Sequence, residues 1–170
     1  MADVHLGVVA FHSYQAQEPE KGGAMANYAM TRAQREAFLA DTHVAMLAVQ
    51  EEGRGPLLVP VWYWYRPGGD VHVVTGGSSR KVPLLRKVGR ASLCAQTETP
   101  PYKYVTVEGP AAIVGRPDWE RDVREVALRY LGTELGEMYL AATAVEHESA
   151  LLVRLEPERW QTVDFTRFGS

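Results

Sequence analysis

The sequence predicts a mostly β protein whose antiparallel strands close into a barrel, with a few helices at its periphery. Three observations carry that prediction. Many short strand-like runs recur along the chain, the one at 57–65 rich in Val, Trp and Tyr. Two connections, 51–56 and 66–70, have hairpin chemistry, which argues for antiparallel pairing. Segments with helical period are too few for a doubly wound parallel sheet. A chain of 170 residues is one domain's worth and can bury a sizeable core.

Residues 1–30 show no sustained periodicity, and 15–23 is polar with Pro and Gly, so this part reads as a flexible arm before a folded domain at 31–170. Thr31 with Gln34 three residues later has capping-box spacing and opens a short helix whose apolar face is Phe38 and Leu39. The apolar run 44–49 is a buried strand, and 51–56 is the turn after it. Residues 57–65 form one strand, with Trp62 and Trp64 on one face and Val61, Tyr63 and Tyr65 on the other. The turn at 66–70 leads into a strand at 71–75, which Gly76 and Gly77 break. A short helix spans 80–87, with Pro83 in its first turn. A strand at 91–97 and a proline-stiffened loop precede a long strand at 103–114. Gly109-Pro110 interrupts that strand with a bulge or a change of sheet. The clearest amphipathic helix is 118–131, with Trp119, Val123, Val126, Ala127, Tyr130 and Leu131 as its stripe and Gly132 as its stop. A second helix at 134–144 and strands at 151–155 and 160–165 complete the chain.

Composition excludes several classes of function. With 46% hydrophobic and 23% charged residues, the chain as a whole is not disordered. No run approaches the ~18 apolar residues of a membrane helix, so no membrane partner is expected. The balance of 18 basic against 21 acidic residues speaks against nucleic acid. A single cysteine, Cys94, permits no internal disulfide and no cysteine-built zinc site. With no secretory signal pattern at the N-terminus, it fits a reducing cytoplasm. The chain has no GxSxG elbow, no GxxxxGK[ST] loop, no HExxH and no GxGxxG, and its histidines are scattered. The sequence assigns no catalytic residue and no metal ligand.

Three segments carry candidate chemistry. In 75–81, TGGSSRK, a strand ends, glycines turn the backbone, and a helix begins beside two hydroxyls, a guanidinium and an ammonium. The free N–H groups and positive dipole of a helix start suit a phosphate there. The same residues also suit an ordinary strand-to-helix connection. In 59–65, VPVWYWY, Pro60 removes one backbone donor and frees a neighbouring group for a ligand. The aromatics equally suit a strand buried on both faces. In 96–104 two prolines stiffen a loop carrying Tyr102, Lys103 and Tyr104, material for a pocket wall, a dimer contact or a plain connection.

The set HVAMLAV, VPVWY, TGGSSRK, RASLCAQTETPPYKYVTVEGPA and RYLG, in that order, resembles the pyridoxamine 5′-phosphate oxidase-like split β-barrel family. The likeness runs over about 31–164 and is strongest to the branch of small flavin- or deazaflavin-dependent oxidoreductases. It implies a split β-barrel that dimerises, with a cofactor, FMN or the deazaflavin coenzyme F420, shared at each subunit interface. It implies that Ser79, Arg80 and Lys81 grip the cofactor phosphate with support from Thr75. Pro60, Val61 and Trp62 would run along the ring, and Tyr102 and Tyr104 would approach it, from the partner subunit in one arrangement. The C-terminal 160–164 lacks the arginine pattern of true pyridoxamine phosphate oxidases, so the resemblance does not extend to their reaction. The expected activity is hydride transfer to an unsaturated small molecule, with the cofactor doing the redox chemistry. The competing expectations are an FMN oxidase or reductase, a non-catalytic carrier of flavin, deazaflavin or haem, and a structural dimer with a vacated site. The many large aromatics also favour a homodimer.

Overall fold

A computed structural model describes residues 28–167. Helix α1 (Arg32–Ala40) opens on the expected capping box, in which Thr31 and Gln34 satisfy each other's backbone N–H groups. Eight strands follow: β1 (Ala45–Val49), β2 (Leu57–Val61), β3 (Trp64–Tyr65), β4 (Val71–Gly76), β5 (Arg90–Gln96), β6 (Lys103–Gly115), β7 (Ala150–Leu155) and β8 (Arg159–Asp164). Helix α2 (Lys81–Val88) lies between β4 and β5. A helical cap of α3 (Glu125–Leu131), α4 (Thr133–Ala142) and α5 (Ala144–Glu148) lies between β6 and β7.

Every pairing is antiparallel, in the order β2-β1-β5-β6-β7-β4-β3, with β8 also on β6. The fold is a split barrel whose two half-sheets share β6. The hinge is the predicted Gly109-Pro110. Up to Glu108 one edge of β6 pairs with β8, and from Ala111 that edge pairs with β7. The strand is not interrupted; it changes partner. A Cβ on Gly109 would lie 1.9 Å from the Glu156 carbonyl oxygen, so only glycine lets β6 pass so close to that connection. Strict alternation fills the interior: Leu47 and Val49, Val71 and Val73, Leu93, Val105 and Val107 are all buried. Leu39 from α1 and Leu85 from α2 join the same core.

Four expectations change. The strand at 57–65 is two strands, because Trp62 and Tyr63 leave the ladder between β2 and β3. Tyr130 from α3 compensates. Its hydroxyl accepts from the Tyr63 N–H at 3.2 Å and donates to the His43 carbonyl at 2.7 Å, and side-chain alternation survives the break. The helix at 118–131 begins as a π-helical turn, Trp119–Arg124, which buries Asp122 and Val123 and leaves Trp119 exposed instead of in the apolar stripe. The helix at 134–144 is two, α4 and α5. Residues 28–30, read as arm, are held to β8. Asp164 N–H donates to the Tyr28 carbonyl at 2.8 Å, Met30 N–H donates to Thr162 Oγ1 at 3.0 Å, and Met30 is buried. The remainder of the expected arm, 1–27, lies outside the described residues.

Candidate functional site

The site begins where β4 stops. Ser79 N–H donates to the Gly76 carbonyl and Val82 N–H to the Ser79 carbonyl, so two tight turns carry the chain into α2. Gly77 is required there, since a Cβ on it would stand 2.6 Å from the Ser149 carbonyl oxygen. Lys81 folds back over the turn. Its Nζ donates to Thr75 Oγ1 at 2.8 Å and to Ser79 Oγ at 2.9 Å. The side chain is half-buried, and burial pushes its pKa down from the ordinary lysine value. Among the described residues no carboxylate pairs with it. An ammonium with two of its three protons on hydroxyls, no counter-charge and reduced hydration favours an anion as the next partner. A cofactor phosphate fits that donor set.

Arg80 stands apart from this arrangement. Its guanidinium is bound to the Glu51 carboxylate in the β1–β2 turn, and the mutual attraction raises the arginine and lowers the glutamate. Lys87 pairs with Glu52 in the same turn at 2.6 Å. These contacts tie α2 to the Leu57 end of β2, and Pro60, Val61 and Trp62 lie toward its other end. At ~3.3 Å per residue the two ends are about 13 Å apart, the reach of an extended phosphate-to-ring ligand. Pro60 is exposed on β2, an outermost strand of the sheet order, where its missing N–H costs no ladder bond.

The two tyrosines are elsewhere. On the outer face of the first half-sheet, register aligns Pro60, Met46, Cys94 and Thr106 in one row across β2, β1, β5 and β6. Tyr104 is on the same face of β6, three strand spacings from Pro60, or about 14 Å at ~4.8 Å each. It is half-buried, and burial raises its phenol pKa. Tyr102 is half-exposed at the start of that strand. Within one subunit the fold brings Thr75, Ser79 and Lys81 together, turns Arg80 to Glu51, and keeps Tyr102 and Tyr104 away from Pro60.

Trp62 has a further neighbourhood. It stacks on Tyr130 (ring centroids 5.1 Å, planes 12° apart) and lines a cavity of about 240 Å³ between β3–β4 and the helical cap. Trp64 belongs to the same wall. Its indole N–H donates to Asp122 Oδ1 at 3.0 Å, and His72 stacks on its ring at 4.0 Å. Asp122 is buried. It accepts twice from Arg121 and once from the Asp118 N–H as well, which together hold its pKa below the usual carboxylate value despite burial. Sequence reasoning pointed to neither Glu51 nor Asp122, and it offered Tyr130 only as part of the apolar stripe and the RYLG motif; Arg80, Trp64 and Tyr63, which these three meet, are remote along the chain. It also passed over Thr143 and His147, although their i, i+4 spacing was a readable signal.

Comparison with known proteins places these residues in context. A family model described as pyridoxamine 5′-phosphate oxidase matches residues 31–164. No curated protein matches the chain. Among solved structures, a conserved hypothetical protein from Mycobacterium tuberculosis is similar at TM-score 0.69 and 25% identity, covering 85% of this chain and 91% of its own. A FAD and heme binding protein from Mycobacterium smegmatis is similar at TM-score 0.59 and 16% identity, covering 80% and 72%. An F420 reductase is similar at 0.54 and 14%, covering 74% and 94%. Among the described residues no helix is long and apolar enough to cross a membrane, and no cluster of metal-ligating side chains is present.

Proposed function

The chain belongs to the pyridoxamine 5′-phosphate oxidase family, and on that premise we propose that it is an oxidoreductase that binds F420 or FMN and reduces an unsaturated small molecule. The observation that carries this reading is Lys81, a half-buried ammonium held by two hydroxyls and without a carboxylate partner among the described residues. Lys81 and Ser79 hold the phosphate, with Thr75 fixing the lysine. Pro60 and Trp62 line the ring, Val61 contributes only backbone because its side chain is buried in the barrel core, and Arg80 contributes only by leaving Glu51. The cofactor, when bound, supplies the hydride chemistry. The protein orients the ring, excludes water from one side of it, and leaves the other open to substrate.

The ring site is completed by a second copy of this chain. Tyr102 and Tyr104 stand too far from Pro60 to meet one ring from the same subunit. The β2 edge also exposes apolar surface at Leu58, 56% accessible, and Val44 just before the neighbouring β1 is 49% accessible. A homodimer is the arrangement that covers this edge, and a sedimenting monomer overturns it. Cys94 as the sole thiol supports the cytoplasm as its location.

The test is a titration of purified protein with FMN and with F420, followed by turnover of the reduced complex on a panel of enones and quinones. Binding that Lys81→Ala weakens, together with turnover, supports the proposal. Binding without turnover assigns a carrier, and no binding of either cofactor removes the reading.

A further inference from the structure

The cavity under the helical cap has chemistry that the phosphate lip does not share. On β4 the side chains of Val71 and Val73 are buried in the barrel, whereas His72 and Val74 alternate to the opposite face and line the cavity, joined at the end of the strand by Thr75 and Gly76. Its inner wall is apolar, from Trp62, Val74, Val123 and Ala127. At about 240 Å³ it has room for one six-membered ring with a short chain, and it is too small for a tricyclic cofactor.

Its polar end is the α4–α5 corner. Thr143 Oγ1 spends its one proton on the Tyr139 carbonyl at 2.8 Å, so at 3.0 Å it accepts from His147 Nε2. That tautomer leaves His147 Nδ1 as an acceptor. Burial holds both His72 and His147 below the ordinary histidine value, which keeps the imidazoles neutral. The charge of Asp122 is answered by Arg121. Glu146 also lines the cavity, and no described cation pairs with it. The cavity therefore offers, at its polar end, the carboxylate of an exposed rim residue without a described cation partner and an additional acceptor, above an apolar floor.

We propose that this cavity is a binding site for a small aryl-alkyl amine, its ring against Trp62 and Val74 and its ammonium on Glu146 and His147. Opposite charge and unpaired acceptors favour the ammonium, and the same groups repel a carboxylate. The cavity adjoins the proposed cofactor site through Trp62 and Thr75, which line it, but Lys81 is not part of its lining.

A matched set of probes tests this by ligand-observed NMR on the intact protein: phenethylamine, 2-phenylethanol and phenylacetate, each with the same ring. The amine is expected to bind about ten-fold or more tighter than phenylacetate, equivalent to ~1.4 kcal/mol. Glu146→Gln, an exposed position, is expected to bring the amine down to the alcohol and leave the alcohol unchanged. Val74→Phe fills the chamber and should abolish both. Lys81→Ala, which removes the phosphate grip, should leave amine binding intact even where it abolishes cofactor binding. Phenylacetate binding as tightly as the amine, a Glu146→Gln protein with the full amine preference, loss of amine binding in Lys81→Ala, or no binding of any probe each overturns the assignment.

Discussion

At the lip, a half-buried ammonium rests on two hydroxyls with no carboxylate among the described residues to answer it; under the helical cap, a carboxylate stands beside neutral histidines with no described cation to answer it. Both regions draw on β4: Thr75 holds Lys81 at the lip and also reaches the cavity, which His72 and Val74 line. The difference teaches that one six-residue strand feeds two sites of opposite sign, with Thr75 at their junction. It also separates their causes. The lip is made by a local turn, whereas the cavity exists only because the cap is anchored over Trp62 and Trp64 from elsewhere in the chain.

The anchor offers the largest effect. Asp122→Ala leaves the Trp64 indole and the Asp118 N–H without their acceptor, and should cost about 3 kcal/mol. A fall in melting temperature of about 6–12 °C follows for a chain of this size. Cavity binding should be lost while phosphate binding persists, measured by calorimetry and probe titration. If both sites fail together, the two regions are not separable as described.

Lys81→Ala breaks the comparison from the other side. Loss of a charge-assisted contact of ~1.5–3 kcal/mol should weaken FMN or F420 binding by about 10- to 150-fold, read by fluorescence titration. Unchanged affinity would remove the phosphate assignment. Gly77→Ala should disturb both regions, because its Cβ would press within 2.6 Å of the Ser149 carbonyl oxygen at the end of α5. Destabilisation of about 1–3 kcal/mol is expected from the overpacking, measured by denaturant unfolding.

The histidines give a smaller, pH-dependent difference. His43, His72 and His147 all have folded pKa values lowered by burial. The unfolded chain therefore binds more protons once pH falls below the ordinary histidine value of 6.5. Stability is full above that value and declines as pH drops through it toward the lower folded values. His72→Phe should flatten part of that decline in unfolding curves at pH 7 and pH 5. The smallest effect belongs to Arg80→Ala. Its guanidinium is half-exposed and occupied by Glu51, so cofactor affinity should fall far less than in Lys81→Ala, with the melting temperature nearly unchanged.

The parts legible in the chain were those whose cause is local. The capping box at Thr31 and Gln34 and the alternation in β1, β4 and β5 each depend on residues a few positions apart. So does the grouping of Thr75, Ser79 and Lys81, which span one strand end and one helix start. The breaks at Gly76-Gly77 and Gly109-Pro110 were visible as composition, although the contacts that require Gly77 and Gly109 come from Ser149 and Glu156. Family resemblance supplied the closure of the strands into a split barrel. What no local pattern encoded were the contacts between distant segments: Arg80 with Glu51, 29 residues away, Trp64 with Asp122, 58 away, and Tyr130 with Tyr63, 67 away. Those pairs split 57–65 into two strands, buried a carboxylate through a π-helical turn, and turned one of the expected phosphate ligands aside. Period and propensity act through neighbours along the backbone, whereas which remote donor meets which acceptor is decided only when the sheets close and bring their outer faces against the helices that cover them.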